Sequence, residues 1–159
     1  MKKALIYFSL EGNMEYIANE IAKGMDIDVI RLVPEKNYPN GKVSKFFWGG
    51  KSVMFGEKPK LVNKHINFDE YDTVLLGTPI WASTFTPPLN TLFSEYTIKD
   101  KKIALVATHG GGGADKCFEK MKELLDGNNF VGEFQFNDPL KNRNDDVISK
   151  IEKIKEVLK

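Results

Sequence analysis

The sequence predicts an α/β fold, a doubly wound parallel sheet with helices on both faces, on three observations. The compact apolar runs Ala4 to Phe8, Val74 to Leu76 and Ile103 to Ala107 lack polar alternation, as strands buried on both faces of a parallel sheet should. These runs alternate with segments of helical spacing, the order that right-handed crossovers impose. The loops after the three runs are each unusual, and in such a sheet all emerge on the carboxyl edge, where ligands sit at the topological switch point.

Taken in chain order, the first run ends in Ser9-Leu10-Glu11-Gly12-Asn13, and Met14, Ile17, Ala18, Ile21, Ala22 and Met25 then share one helical face. Val29 to Val33, interrupted by Arg31, reads as an edge strand. The segment from Pro34 to Asp69 is longer than a crossover requires. Within it Val43, Phe46, Phe47, Met54 and Phe55 suggest a short helix with apolar flanks around Trp48, either a packed excursion or a lid over the ligand edge. After the second run, Gly77 to Pro88 reads as a proline-stiffened loop. Cys117, Phe118, Met121, Leu124 and Leu125 form a further helical face that Asp126-Gly127-Asn128-Asn129 ends. Phe130 to Phe136 alternates with Gly132, Glu133 and Gln135, as a sheet margin does. The last helix carries Ile148, Ile151, Ile154, Val157 and Leu158, with Asp145 and Asp146 at its start and Lys159 at its end complementing the dipole.

At 159 residues the chain is expected to form one domain, 1–159, with an elaborated segment at 34–69, and to bury roughly two-thirds of its unfolded surface without disulfides or metal. The net charge of +1, from 23 basic and 22 acidic residues, gives no reason to invoke nucleic acid. The single cysteine, Cys117, excludes an internal disulfide, and His65 and His109 show no metal spacing. The run after Met1-Lys2-Lys3 is too short for a signal peptide, and no stretch approaches membrane-spanning length. A cytoplasmic protein without membrane attachment, a monomer or weak dimer, is expected.

The chemistry concentrates in the three edge loops. Ser9 to Asn13 joins a strand directly to a helix, which aims unpaired N–H groups and the positive dipole end at the loop. Gly12 permits close approach and Ser9 offers a hydroxyl, so the loop suits a phosphate held by backbone; an ordinary βα turn capped by Ser or Asn is the alternative. In the second loop, Trp81 either stacks on a planar heterocycle or packs against the segment after Pro34. The third, Thr108-His109-Gly110-Gly111-Gly112-Gly113, can lay main-chain donors against a ligand or serve as a flexible turn. Three such loops at one edge favour a ligand site. Cys117, near a helix start, is either mildly activated or a buried small hydrophobe.

The stretch Leu5 to Ile21, with its order of strand, Ser, Gly, helix, Ala and Ile, resembles the FMN-phosphate signature of the flavodoxin family. Gly77 to Trp81 is similar to that family's second FMN loop, and His109 to Gly113 occupies the place of its third. The resemblance implies a three-layer flavodoxin-like sandwich on a five-stranded parallel sheet of order 2-1-3-4-5, with FMN at the switch point. It implies that Ser9, Glu11, Gly12, Asn13 and Met14 line the phosphate, that Pro79, Ile80, Trp81 and Ala82 flank the flavin, and that His109, Gly110, Gly111 and Gly112 meet its polar edge. Trp48 joins these as a candidate flavin contact. The family usually has Thr where this chain has Met14, and Thr or Ser where it has Glu11.

Two redox functions follow from the resemblance: an electron carrier serving redox partner proteins, or an NAD(P)H-dependent FMN or quinone reductase whose substrate pocket the 34–69 segment shapes. Purely electron-carrying flavodoxins are generally strongly acidic, whereas this chain is nearly neutral. A non-redox receiver module of the same strand order would need an acidic cluster where Phe8-Ser9 stands and a Lys that Phe136-Asn137-Asp138 does not supply.

Overall fold

A computed structural model describes residues 1–38 and 56–159. Five parallel strands, β1 (Lys3–Tyr7), β2 (Asp28–Arg31), β3 (Thr73–Pro79), β4 (Lys102–His109) and β5 (Asn129–Asn137), form one sheet in the order β2-β1-β3-β4-β5. The helices among the described residues are α1 (Asn13–Ala22), α2 (Pro87–Glu95), α3 (Asp115–Leu124) and α4 (Asp145–Val157), with a 3₁₀ turn at Phe68–Glu70. None is long and apolar enough to cross a membrane.

The unbroken apolar runs are explained by two cores. Ile6, Leu76 and Leu105 pack with Leu89 and Leu92 of α2 and Phe118 and Met121 of α3 on one face. Their neighbours Leu5, Leu75 and Val106 pack with Met14, Ile17 and Ile21 of α1 and Ile151 and Ile154 of α4 on the other. Because successive side chains alternate between faces and both faces are covered, the middle positions of the central strands, Ala4 to Ile6, Val74 to Leu76 and Ile103 to Ala107, are all apolar.

Several boundaries differ from the sequence expectation, each for a local reason. Strand β2 ends at Arg31 because the chain then leaves the sheet, and the Val33 N–H donates to Asn63 Oδ1 at 2.8 Å. Helix α1 stops at Ala22, before Met25, and Gly24 turns the chain with φ 74°. Gly77 to Pro79 and Thr108 to His109, read as loop, are strand ends paired in register, Gly77 with Val106 and Pro79 with Thr108. Helix α2 was not anticipated: the prolines that read as loop stiffeners occupy its first turn, where a missing N–H costs nothing. The helix suggested around Trp48, Trp48 itself, and residues 39–55 of the possible lid at 34–69 lie outside the described residues.

Candidate functional site

The loop after β1 leaves the start of α1 open, the geometry of a candidate anion cradle. Gly12 precedes α1 with φ 98°, a left-handed conformation that suits glycine, and no side chain caps the helix. The ordinary capped turn is therefore not what forms. Ser9 is only 3% exposed and its Oγ has no hydrogen-bond partner among the described residues. Asn13 Oδ1 is used elsewhere: it accepts from the Leu140 N–H at 3.1 Å and ties the cradle to the loop after β5. Met14 is fully buried in the α1 core, so it offers the cradle its N–H only, while the Glu11 side chain is solvent-exposed.

A cation missing from the loop's own sequence arrives from the edge strand. Parallel register sets Arg31 beside Tyr7, and its guanidinium donates to the Ser9 carbonyl and to Glu15 Oε1, both at 2.9 Å. The sequence reading saw Arg31 only as an interruption; a lone Arg in a short strand beside the loop was the available signal.

In the second loop, Thr78 is fully buried; its hydroxyl donates to the Pro79 carbonyl at 2.8 Å and accepts from the Thr86 N–H at 3.1 Å. Trp81 and Thr84 exchange backbone bonds of 3.0 and 3.1 Å around a two-residue turn in which Ala82 and Ser83 have φ 47° and 67°. Such angles cost a non-glycine residue about 1 kcal/mol or more each, so this tip is held under strain. The Trp81 ring makes edge contacts with Tyr38 at 5.1 Å and Phe8 at 5.7 Å. Through Tyr38 it packs against the segment after Pro34. The Tyr38 hydroxyl and Thr84 Oγ1 are buried without partners among the described residues, and burial, with the Glu57 charge adding, pushes the Tyr38 phenol up to about 12. Ile80 and Pro79 are half-buried, and the Ile80 N–H donates to the Thr108 carbonyl at 2.8 Å, joining the second loop to the third.

The third loop is organised by its histidine. His109 Nδ1 accepts from the Gly111 N–H at 3.0 Å and the Gly113 N–H at 3.3 Å, and both glycines have positive φ. Two amides expected to face a ligand are therefore consumed inside the turn; those of Gly110 and Gly112 make no hydrogen bond among the described residues. Burial lowers the His109 pKa, with Lys150 adding and Asp138 opposing. A depressed histidine pKa gives stability that is present above the unfolded value and lost as pH falls through the folded one. Protonation would also turn Nδ1 from acceptor to donor against two N–H groups. His109→Gln keeps an acceptor that does not titrate, so its thermal midpoint should fall less than that of the unaltered protein between pH 7 and pH 5. Parallel acid profiles would remove His109 from the loop's pH dependence.

These contacts close a ring around the sheet edge. Phe8 touches Trp81, Ile80 reaches Thr108, the Asp138 N–H donates to the His109 carbonyl at 2.9 Å, and Leu140 returns to Asn13. Cys117 lies outside it; fully buried, its thiol is pushed up to about 12, so of its two readings the buried hydrophobe holds.

Sheet order and the joined edge loops together define a doubly wound α/β protein whose loops after β1, β3 and β4 meet at its switch point. The flavodoxin family model matches residues 2–154, and the chain belongs to the flavodoxin family. None of the curated proteins matches it. Among solved structures, a Lactobacillus acidophilus flavoprotein in complex with FMN is similar at 19% identity, covering 89% of this chain and 97% of its own, with a TM-score of 0.73. The two-electron reduced flavodoxin of Megasphaera elsdenii is similar at 20% identity over 98% and 96%, with a TM-score of 0.64. An NADH:FMN oxidoreductase in its apo form is similar at 13% identity over 98% and 87%, with a TM-score of 0.58. At these identities the likeness is one of fold.

Proposed function

We propose that the protein binds FMN at the carboxyl edge of β1, β3 and β4 and transfers electrons through it. The observation that carries this reading is the uncapped start of α1 beside the buried, partnerless Ser9 hydroxyl. A buried polar group without a partner is costly, and an acceptor-rich anion in the cradle would satisfy both the hydroxyl and the helix N–H groups. The family membership and the FMN complex of the similar Lactobacillus protein support the same choice. When bound, FMN supplies one- and two-electron redox chemistry. The chain's residues would hold it: Ser9, Gly12 and the N–H groups of Asn13 and Met14 at the phosphate, Pro79 to Ala82 beside the ring, and the Gly110 and Gly112 amides at its polar edge.

Ser9→Ala tests the cradle because its two effects have opposite signs. FMN affinity should fall roughly tenfold, the worth of a hydrogen bond to a charged group. The flavin-free protein should keep or slightly raise its thermal midpoint, since a partnerless buried hydroxyl is removed. Unchanged FMN affinity with a lower midpoint would make Ser9 a structural residue.

The near-neutral charge favours a second reading, an NAD(P)H-dependent reductase on the same scaffold. Steady-state NAD(P)H oxidation with a quinone acceptor separates the two, since a carrier should show almost none. Stepwise reduction followed in the visible spectrum should pass through two one-electron stages for a carrier and bleach in one step for a reductase.

A further inference from the structure

We propose that Arg31 makes this site selective for a phosphorylated flavin, fixing the Ser9–Leu10 peptide and setting a positive charge at the cradle's rim. The inference rests on the FMN reading above. Ser9-Leu10-Glu11-Gly12-Asn13 contains no Lys or Arg, and Met14 withholds the hydroxyl a threonine there would offer. The guanidinium from the neighbouring strand lies against the carbonyl of the same residue whose hydroxyl is buried and partnerless.

The contact does two things. A trans peptide carries its C=O and N–H on opposite sides, so holding the Ser9 carbonyl turns the Leu10 N–H away from the guanidinium. That N–H has no acceptor among the described residues and becomes one more donor fixed in the loop. Glu15 offsets part of the guanidinium's charge; the remainder is set against an incoming phosphate, which carries roughly −1.5 to −2 at pH 7. An arginine suits the task because its planar fork reaches the carbonyl and Glu15 at once, which a lysine ammonium cannot do with the same geometry. Stability is a poor explanation for the arrangement. The side chains of Arg31 and Glu15 are each 41% exposed, and such surface pairs contribute little to folding.

The test compares FMN with riboflavin, which shares the ring and lacks the phosphate. Both are titrated into the flavin-free full chain and followed by flavin fluorescence, for the unaltered protein, Arg31→Met and Arg31→Lys. Arg31→Met should weaken FMN roughly ten- to a hundredfold and riboflavin less than about threefold, and Arg31→Lys should recover part of the FMN loss. The FMN deficit should shrink at high salt, as screening predicts. Equal losses for both flavins would show a purely structural residue and overturn the proposal, as would unchanged FMN affinity in a variant whose thermal midpoint confirms that it folds. Unaltered protein that binds neither flavin would overturn the FMN reading itself. Unaltered protein that binds FMN, with a selectivity ratio indifferent to Arg31, would overturn this inference alone.

Discussion

Gly12→Val is expected to abolish FMN retention while the sheet remains folded. Gly12 sits at φ 98°, where an L-residue pays about 1–2 kcal/mol and a β-branched one more, because Cβ crowds its own backbone. A Cβ built there would also lie 3.4 Å from Leu140 Cδ1, so valine's two further methyls would meet the loop that Asn13 anchors. The chain can relieve this only by rotating Gly12 out of the left-handed region. That moves the start of α1 and disperses the N–H groups that converge on the cradle. Gly12 itself belongs to neither core, and of the first turn of α1 Met14 alone is a core residue, so the cost falls on binding more than on folding. Flavin absorbance retained through purification, with the thermal midpoint of the flavin-free variant, reads the two separately. Gly12→Asn, whose side chain tolerates the left-handed region, should keep more flavin than Gly12→Val. A valine variant as yellow as the unaltered protein would remove the loop from phosphate binding.

The fold was legible because its signals are local and redundant. Unbroken apolar runs such as Ile103 to Ala107 require burial on both faces, and the helical faces around Met14 and Ile151 supply the cover. Helix α2 escaped because Pro87 and Pro88 are as suited to a first helical turn as to a rigid loop, and only the continuing chain distinguishes them. The cradle was legible as a loop and incompletely as a site. Ser9 and Gly12 announce themselves by type, but Arg31 reaches Ser9 across 22 positions, through a register no spacing reveals. The glycine run misled in a specific way. By residue type its amides are ligand donors, whereas the adjacent His109 accepts from two of them, a competition visible only once the turn is built.

Met14 and Gly77 form the most consequential pair that neither residue type declares, and Gly77→Val should be the most destabilising substitution near the site. A glycine inside a strand is ordinarily a weakness, and alanine there should gain about 0.5–1 kcal/mol. Here the sign reverses. A Cβ at Gly77 would lie 2.8 Å from Met14 Cε, 3.1 Å from its Sδ and 3.1 Å from Tyr7 Cβ. The methionine end can move, but Tyr7 is the register partner on β1 and cannot. Overpacking of this kind costs roughly 1–3 kcal/mol, so Gly77→Ala should lower stability within that range and Gly77→Val beyond it. Met14→Ala alone should cost roughly 2–5 kcal/mol for the cavity it opens. In Met14→Ala/Gly77→Ala the new Cβ enters that cavity, so denaturant unfolding should show a combined loss smaller than the sum of the two. The shortfall should be roughly 1–2 kcal/mol, the scale at which touching residues couple. Additive losses would mean that Met14 and Gly77 do not share the space. Coupled losses explain the departure from the usual threonine: Met14 fills the volume that the side-chain-free strand position leaves, and the cradle keeps that residue's N–H while its hydroxyl is given up to the core.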